Sequence, residues 1–376
     1  MKILIVADSL LAGGAEWFLL RQYTYLKEHG YSVQLCVTRP DHIDSRIMQN
    51  FPQVQFVSPV VTLVKIAALA DKVLGKLFKK TIFLNYVNKF TISNIIKQFN
   101  PDVIHSHLLQ ADYKVFLANR KTGIRHVVTI HGDYIELIKK SQTLYLAKIR
   151  KVLGAVDCVV FISAEQCKLL NGFLPSIENK AVKIYNGYPQ RNLKQGPSHD
   201  GFYFGMIARG ISEKGWEDAI LAFLKLNDPR NRLLLYGEGD YLEQLKRKYS
   251  DTRILFRGFT SEPLIAIQEM DAGLFPSYYQ SESLPTTVIE YLLLHKPVIT
   301  THVGECAEMI RQGEKIAGIV LELKNGKPDV DELAAAMQKL STDKAFYRQC
   351  SDVAMQAKNK FGMEECMNQY LKVYKK

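Results

Sequence analysis

The feature that most constrains the fold of this chain is a series of short apolar runs, each followed by a segment with helical periodicity. Short continuous apolar runs are typical of parallel strands that are buried on both faces of a sheet. Parallel strands need a crossover connection, and a helix is the usual one. In the first half of the chain the runs are residues 3–7, 33–37, 103–107, 127–130, 159–162 and 182–185.

The stretch 189–201 interrupts this alternation with Pro189, Gly196, Pro197 and Gly201, which predicts a linker. The alternation then restarts at residues 202–208, 232–236, 254–256, 272–275, 298–300 and 319–321, and the chain looks purely helical from 331 onward. A length of 376 residues also favours two domains.

We therefore predict an α/β protein with two Rossmann-like, doubly wound parallel-sheet domains that face a central cleft. The N-terminal domain spans 1–188, the linker 189–201 and the C-terminal domain 202–355. A helical segment over 356–376 is expected to pack back on the N-terminal domain. In sheets of this kind, ligands bind outside the carboxyl ends of the strands.

The cysteines and the lengths of the apolar runs indicate in which cellular compartment the protein is expected. The six cysteines show no C-x-x-C spacing, which favours free thiols in a reducing compartment. The N-terminal apolar run is too short for a signal peptide, and no stretch reaches the roughly 18 apolar residues of a membrane-spanning helix. We therefore expect a cytoplasmic protein.

Arg209 and Lys214 lie in the predicted loop after the first strand of the second domain, just before a helix. Two cations beside a helix N-terminus make an anion site, because the free amides and the helix dipole add to their charge. Such a site can stabilise a departing nucleoside diphosphate. Taken alone, the two residues could equally be solvated surface charges.

Glu282 and Glu290 follow the predicted strand 272–275, and Pro285 between them suits the first turn of a helix. A carboxylate can accept hydrogen bonds from sugar hydroxyls, and free amides at residues 283–286 can hold a phosphate. Two glutamates near a helix start are common, so this spacing is weak on its own.

Together the two segments resemble the C-terminal half of glycosyltransferase family 4, a family of retaining enzymes with the two-Rossmann GT-B architecture. The matching pieces are the Arg–Lys loop, the Glu-x7-Glu pair and the stretches 296–300 and 303–308. The N-terminal half agrees at 13–16, 102–107, 129–132 and 185–187, so the resemblance covers most of the chain except about 40–100.

The resemblance implies roles for four residues of the second domain. Arg209 and Lys214 would hold the diphosphate, Glu290 would bind the ribose hydroxyls and Glu282 would contact the donor sugar. Arg209, Lys214 and Glu282 are therefore expected to be catalytic as well as donor-binding.

The resemblance also implies that Gly13 and Gly14 let the first loop approach the phosphate closely, and that His131 is a catalytic residue beside the reacting sugar. On its own, His131 could be a satisfied histidine at the edge of the core. The remaining donor-binding residues that the resemblance implies are Arg257, Gly258 and Phe259 at the nucleobase and Ser283, Leu284, Pro285 and Thr286 at the phosphate.

Several other residues allow more than one interpretation. His105 and His107 share one side of a strand and could hold a metal, but structural roles are favoured because no third ligand has a fitting spacing. The Asp329-Val-Asp331 motif could bind a cation, although helix N-capping explains it better. The aromatic residues Trp216, Tyr278 and Tyr279 could be packing or pocket lining.

The net charge of +11 lies entirely in the first half. Residues 1–190 hold 24 Lys or Arg against 13 Asp or Glu, whereas 191–376 hold 25 of each. Within 60–99 there are seven lysines among apolar residues and one acid, Asp71, and 137–153 holds five further cations and no acid. Such segments can lie on an anionic membrane, with solvated helix faces and nucleic-acid binding as alternatives.

These features predict a retaining, metal-independent glycosyltransferase with no cofactor beyond its nucleotide-sugar donor, a UDP-sugar being favoured. The expected acceptor is a saccharide or lipid-linked saccharide in bacterial surface polysaccharide assembly, reached from the cytoplasmic membrane face. No nucleic-acid partner is expected. The alternatives are a sugar-nucleotide epimerase or a phosphorylase on the same fold, or a non-catalytic protein that binds nucleotide sugars.

Overall fold

The protein is described from a computed structural model that covers residues 1–11, 13–78, 82–140, 143–189, 196 and 199–376. The chain divides into two compact units, and each is described by itself. Unit 1 is Met1–Pro189 with Met363–Lys376, and unit 2 is Gln190–Gly362. Within the described residues, no helix is long and apolar enough to cross a membrane.

Unit 1 is built on a parallel sheet with strand order β3-β2-β1-β4-β5-β6-β7. Its strands are β1 (Lys2–Ala7), β2 (Ser32–Val37), β3 (Phe56–Val57), β4 (Val103–His107), β5 (Arg125–Ile130), β6 (Cys158–Phe161) and β7 (Ala181–Lys183). The sheet is buried on both faces, as its apolar runs predict.

The helices of unit 1 before the crossover to unit 2 are α1 (Gly14–Glu28), α2 (Ser45–Gln49), α3 (Val61–Phe78), α4 (Phe83–Phe99), α5 (Leu109–Asn119), α6 (Asp133–Lys139), α7 (Thr143–Ala155) and α8 (Ala164–Phe173). Alternate side chains of β1 pack on opposite faces of the sheet. Ile3 and Ile5 pack in one core cluster with α1, whereas Leu4 and Val6 pack with α4 and α5.

Unit 2 repeats this plan with strand order β10-β9-β8-β11-β12-β15. The strands of this sheet are β8 (Tyr203–Ile207), β9 (Arg232–Tyr236), β10 (Ile254–Gly258), β11 (Ala272–Phe275), β12 (Val298–Thr301) and β15 (Gly318–Leu321). Two small antiparallel hairpins lie outside it. They are β13 (Arg311–Gln312) with β14 (Lys315–Ile316), and β16 (Leu323–Lys324) with β17 (Lys327–Pro328). The six-stranded sheet is parallel throughout.

The helices of unit 2 are α9 (Trp216–Leu224), α10 (Asp240–Lys248), α11 (Pro263–Gln268), α12 (Thr286–Leu293), α13 (Cys306–Met309), α14 (Val330–Thr342) and α15 (Lys344–Ala357). The final helix of the chain, α16 (Met363–Lys375), belongs to unit 1. Its Tyr370 and Met367 join the same core cluster as Ile3 and Phe18.

The apolar runs located the strands well. Each run predicted as a strand overlaps an observed one, and 103–107, 232–236 and 272–275 agree at both ends. The sequence missed β3, which has two residues, and the two hairpins, because segments this short carry no periodicity. Most of the predicted linker 189–201 lies outside the described residues, since 190–195 and 197–198 are not described.

The C-terminal segment differs from the predicted 356–376 helix. Helix α15 ends at Ala357, a short 3₁₀ turn covers Lys358–Phe361, and only Met363 onward groups with unit 1. Lys360 explains the later boundary, since its ammonium donates to the backbone carbonyl of Glu308 at 2.9 Å and also to that of Arg311. These bonds hold the 3₁₀ turn on unit 2.

Candidate active site

The candidate site of unit 2 lies where its strand order reverses. Strands β8 and β11 are neighbours in the sheet although β9 and β10 lie between them in sequence. The loops that follow these two strands therefore leave the sheet in different directions, which opens a crevice at their carboxyl ends. Both glutamates and both cations of the predicted diphosphate site follow these two strands.

The loop after β8 is shaped by Gly215 and Trp216. A 3₁₀ turn over Ser212–Lys214 ends at Gly215, which has φ of 80° and precedes α9. A side chain at Gly215 would overlap the backbone carbonyl of Pro276. The buried Trp216 indole N–H donates to the Arg209 carbonyl at 2.9 Å, which fixes the backbone that carries the first cation.

The loop after β11 is bonded directly to the loop after β8. The Tyr278 N–H donates to the Glu213 carbonyl at 2.8 Å. The hydroxyl of Ser277 lies 3.2 Å from that carbonyl and 3.2 Å from Glu282 Oε2, so its one hydrogen serves either acceptor. The two loops thus form one backbone-bonded framework.

Lys214 and Glu282 form an ion pair within this framework, and both are largely buried, with side-chain exposures of 7% and 11%. The Lys214 ammonium also lies 5.4 Å from the centre of the Phe275 ring and 5.1 Å from that of Tyr279. A buried lysine is stable only with such a partner, because an unpaired charge costs several kcal/mol to bury, about 3 or more. The pair explains why these residue types occur together.

Arg209 is exposed, in contrast to Lys214. Its guanidinium carbon lies 5.6 Å from the centre of the Tyr279 ring, so both cations contact the same aromatic side chain. Of the aromatic residues left open by the sequence, Trp216 is therefore a packing residue and Tyr279 lines the cation pair.

Glu290 lies on α12, and its side chain is 6% exposed. The helix is anchored at the strand ends by Thr287, whose hydroxyl donates to the Ile207 carbonyl at 3.1 Å, and by Tyr291, whose hydroxyl donates to the Gly205 carbonyl at 3.0 Å. Pro285 immediately precedes the helix. Glu290 is thus held beside the end of β8.

The residues 283–286 connect Glu282 to α12 and are supported by the loop after β12. The Ser283 carbonyl accepts from the Glu305 N–H at 2.9 Å, and Gly304, with φ of 53°, lies against the Glu282 backbone. Ser283, Leu284 and Pro285 are buried, whereas Thr286 begins α12 and is half-buried.

Arg257, Gly258 and Phe259 lie at the carboxyl end of the edge strand β10. The Gly258 carbonyl accepts from the Gly237 N–H at 2.9 Å, and the Arg257 guanidinium is 4.0 Å from Glu269. This stretch follows β10 on the same edge of the sheet as the cations, two strands away from β8.

Gly13, Gly14 and His131 belong to unit 1. Gly13 is the N-cap residue of α1, its carbonyl accepts from Trp17, and Gly14 is the first, exposed residue of the helix. His131 directly follows β5 and is 8% exposed. Its carbonyl accepts from the buried Gln166 amide at 2.7 Å. All three lie at the carboxyl edge of the unit 1 sheet.

His105 and His107 of β4 and His131, which follows β5, form a buried row. His107 Nδ1 lies 3.0 Å from His131 Nε2, and their rings are stacked at 5.3 Å. His105 is bonded to the hydroxyls of Tyr374 at 2.7 Å and Thr129 at 2.8 Å. Burial lowers the pKa of His131 to about 3, so its ring is neutral at physiological pH.

Both motifs that could have held a metal are bonded to other groups of the protein. Asp329 caps α14, since its carboxylate accepts from the N–H groups of Asp331 and Glu332 at 2.9 and 3.1 Å, which confirms the capping interpretation. His105 is occupied by two hydroxyls, in agreement with a structural role. Among the residues that the structure describes, no three His, Cys, Asp or Glu side chains gather as a metal site.

A buried lysine in unit 1 was missed by the sequence reasoning. Lys114 on α5 forms an ion pair with Asp8, which follows β1, and donates to the Thr38 hydroxyl at 2.9 Å. Burial lowers the pKa of Lys114, and Asp8 opposes that shift. The three residues are far apart in sequence; the pairing of β1 with β2 brings Asp8 near Thr38, and the packing of α5 against β1 adds Lys114.

Two family models together cover almost the whole chain. The model described as Glycosyltransferase Family 4 matches residues 12–190. The model described as Glycosyl transferases group 1 matches residues 190–357. The junction between them falls at the boundary between the two units.

Individual proteins are similar over much of their length. An uncharacterised glycosyltransferase of Methanocaldococcus jannaschii is 26% identical over 77% of this chain and 79% of its own length. The O-antigen chain mannosyltransferase C of Escherichia coli is 24% identical over 64% of this chain and 65% of its own. The crystal structure of HepE of Anabaena with UDP and glucose has a TM-score of 0.76, 18% identity and 99% coverage of both chains.

Gly215 provides a test of the loop framework. Gly215→Ala should lower the free energy of unfolding by about 3 kcal/mol or more, because a left-handed conformation and an overlap with the Pro276 carbonyl add together. Gly313→Ala is the matched control, since Gly313 also has positive φ but a Cβ there meets no atom within 4 Å. Urea unfolding followed by circular dichroism measures both. Equal losses in the two variants would contradict the proposed role of the Pro276 contact.

The buried histidines predict a loss of stability in acid. Burial lowers the pKa of both His126 and His131 to about 3, whereas the unfolded value is about 6.5. The unfolded chain therefore binds more protons, so stability falls as the pH drops from about 6.5 towards 3.

At about pH 5 each of these histidines should cost about 2 kcal/mol of unfolding free energy relative to pH 7, measured by urea unfolding at the two pH values. His42→Gln, which replaces an exposed histidine, should leave the difference unchanged. Equal stability at the two pH values would show that the buried rings accept protons.

Proposed function

The chain belongs to glycosyltransferase family 4 of the GT-B fold, and we propose that it transfers a sugar, with retention of configuration, from a UDP-sugar to a saccharide or lipid-linked saccharide in the assembly of a bacterial surface polysaccharide. The transferase class follows from the family. The donor, the acceptor and the stereochemistry are the parts that we propose.

The observation that carries the proposal is the cation pair at the carboxyl ends of β8 and β11. Lys214 is buried and held by Glu282, whereas Arg209 is exposed and contacts the same aromatic ring. Two neighbouring cations, one buried and one exposed, suit a diphosphate, because the departing phosphate gains negative charge as the glycosidic bond breaks. We propose that Glu290, at the same edge of the sheet, accepts hydrogen bonds from the ribose hydroxyls, as a carboxylate can.

Two similarities support the choice of donor and pathway. The HepE structure, which shares this fold, contains UDP and glucose, and its similarity extends over the full length of both chains. The names of two relatives also refer to polysaccharides. They are the O-antigen chain mannosyltransferase C and the Salmonella typhi Vi polysaccharide biosynthesis protein. A UDP-sugar and a polysaccharide acceptor are the simplest common interpretation.

Retention is supported by the state of the carboxylate nearest to the cations. Glu282 is engaged by Lys214 and within reach of Ser277, so it is poorly suited to attack the sugar itself. In the path we propose, the acceptor hydroxyl attacks the anomeric carbon from the face that the diphosphate leaves. The bond from that carbon to the phosphate oxygen breaks, and the leaving phosphate takes the hydroxyl proton. Arg209 and Lys214 supply the positive charge, and no divalent metal is required.

Contact with an anionic membrane is proposed for helices α3 and α4. The side chains of Leu63, Ile66, Leu69 and Val73 recur at helical spacing on α3 and are exposed, Ile66 by 59% and Leu69 by 63%. On α4 the same is true of Phe83, Tyr86 and Phe90, with Tyr86 exposed by 74%. Large exposed apolar patches of this kind mark interaction surfaces.

The charges on these helices suit an anionic partner. Lys65, Lys72, Lys89 and Lys97 are exposed. Asp71, the one acid between residues 60 and 99, points inward and accepts from the N–H groups of Ile82, Phe83 and Leu84 at 2.7 to 3.0 Å. Each lysine near an anionic bilayer contributes about 1 kcal/mol to the free energy of membrane binding, and apolar side chains that insert into the bilayer add to it.

The second basic stretch, 137–153, contributes less to this proposal. Lys140 is paired with Glu136 on the same helix, Lys148 lies 5.0 Å from the Tyr113 ring and Arg150 lies 4.4 Å from the Phe173 ring. These cations have partners within unit 1. The membrane proposal therefore rests on α3 and α4, and the side chains of Lys76, Lys79 and Lys80 lie outside the described part of the chain.

Substitutions at either end of the proposed donor site should impair transfer. Arg209→Ala should lower kcat/KM by about 100-fold or more, because an electrostatic contact to the leaving group is lost. Glu290→Gln should raise the donor KM by about tenfold, because an amide is a weaker acceptor for ribose hydroxyls. Release of UDP from UDP-glucose in the presence of a bacterial lipid-linked saccharide fraction measures both, in EDTA.

Lys225→Ala is the matched control, since Lys225 is an exposed cation of unit 2 paired with Asp331 and should be dispensable. Near-normal turnover of both site variants would refute the donor site. Loss of wild-type activity in EDTA would refute metal independence, and consumption of the donor without acceptor would favour an epimerase. Binding without turnover with every acceptor fraction would favour a non-catalytic protein.

The proposed membrane contact of α3 and α4 is tested by binding to vesicles. The protein should sediment with vesicles of equal parts phosphatidylglycerol and phosphatidylcholine, and less with phosphatidylcholine alone. The double variant Ile66→Glu with Leu69→Glu should lower the bound fraction about tenfold, because two apolar contacts become repulsive. Ile265→Glu, at an exposed apolar residue of unit 2, is the control and should bind as the wild type does. Equal binding by all three proteins would contradict the proposal.

A further inference from the structure

We infer that His107 is a positioning residue that fixes which ring nitrogen of His131 carries hydrogen, so that His131 presents Nδ1–H as a hydrogen-bond donor to a sugar oxygen. The part about the sugar rests on the proposed function, whereas the assignment of the hydrogen rests on unit 1 alone. The sequence interpretation treated His107 as structural, and the geometry points to a functional contact.

The geometry follows from the pairing of β4 and β5. His107 is paired in register with Thr129, and His131 lies two residues beyond Thr129, just after the strand ends. This brings His107 Nδ1 to 3.0 Å from His131 Nε2. The His107 side chain is 1% exposed, and the other nitrogen, Nε2, is buried without a hydrogen-bond partner among the described residues.

Only one hydrogen can lie between two neutral imidazoles, and there are two ways to place it. If His131 donates from Nε2, then His107 must carry its own hydrogen on Nε2, where it is buried without an acceptor. If His107 donates from Nδ1, its buried Nε2 is a bare lone pair. Buried N–H groups without an acceptor are rarer in proteins than under-satisfied acceptors. The second arrangement is therefore favoured, and His131 carries its hydrogen on Nδ1.

The surroundings keep both rings neutral. Burial lowers the pKa of His107 well below its usual value, and the neighbouring rings of His105 and His131 lower it further. The titratable groups packed on the row are His105 from β4 and, from α16, Tyr374, bonded to His105, and Tyr370, bonded to Thr129. Phe18 of α1 packs 6.2 Å from both rings and adds no charge.

This arrangement determines what His131 can do. A neutral ring with Nδ1–H donates a hydrogen bond but cannot take a proton at that nitrogen, so His131 is not the base in the reaction. Its backbone is fixed as well, because the buried Gln166 amide holds the His131 carbonyl at 2.7 Å. Ring and carbonyl are thus both oriented before any sugar binds, which is the kind of preorganisation that binding sites need.

The test is the protonation state of His131 in the full chain, labelled with ¹⁵N-histidine and measured by long-range ¹H–¹⁵N correlation NMR without any donor. His131→Gln identifies its signals. The inference expects a protonated Nδ1 and a bare Nε2 that do not change between about pH 8 and pH 5.5. A hydrogen on Nε2, or conversion to imidazolium in this range, would overturn it.

Two variants separate positioning from packing. His107→Asp offers only an acceptor, so it should move the hydrogen of His131 to Nε2, raise the pKa of His131 and lower kcat by tenfold or more with a new pH dependence. His107→Asn can donate from its amide near the same place and should restore Nδ1–H and most of the kcat. An unchanged His131 spectrum in His107→Asp would refute the inference, as would equal kcat in the two variants.

The NMR result does not depend on turnover. If the wild type shows the expected tautomer but transfers no sugar to any acceptor fraction, the proposed function fails while the role of His107 in placing the hydrogen stands. If transfer is observed with the opposite tautomer, the role of His107 fails and the proposed function stands.

Discussion

The pairing of β8 with β11 is the constraint on which the candidate site depends. A parallel strand can be joined to its neighbour only by a crossover, so the two loops that follow adjacent strands come from distant parts of the sequence. At β8 and β11 the order of the sheet reverses, and the loops after these strands form a crevice. The hydrogen bonds from the Tyr278 N–H and the Ser277 hydroxyl to the Glu213 carbonyl then hold the two loops together.

The ion pair of Lys214 and Glu282 gives this crevice its electrostatic character. Because both groups are largely buried, neither charge could be kept without the other. The pair therefore fixes the position of the Lys214 ammonium before a ligand arrives, and Arg209 adds a second, solvent-exposed cation. In the function we propose, these two cations bind the diphosphate and stabilise the negative charge that develops on it during transfer.

Unit 1 uses its sheet in a different way. Its carboxyl edge carries a row of neutral, buried histidines and the ion pair of Lys114 with Asp8, while helices α3 and α4 display apolar side chains and lysines to the outside. The excess positive charge of the chain thus belongs to a surface and not to the candidate site. In the function we propose, this surface brings the enzyme to a membrane that holds its acceptor.

The sequence by itself determined the class of fold, because continuous apolar runs separated by helices leave few alternatives to a parallel sheet covered on both faces. It also supplied Arg209, Lys214, Glu282 and Glu290 as candidates, since charged residues after strands are visible in the order of the chain. What it could not give was the state of each one. That Lys214 is paired, that Tyr279 contacts both cations, and that Asp71 points inward all depend on neighbours far away in sequence. The same holds for His107 and His131, whose contact exists only because β4 and β5 lie side by side in register. Periodicity reports which residues are buried, but only the tertiary structure decides which buried groups meet.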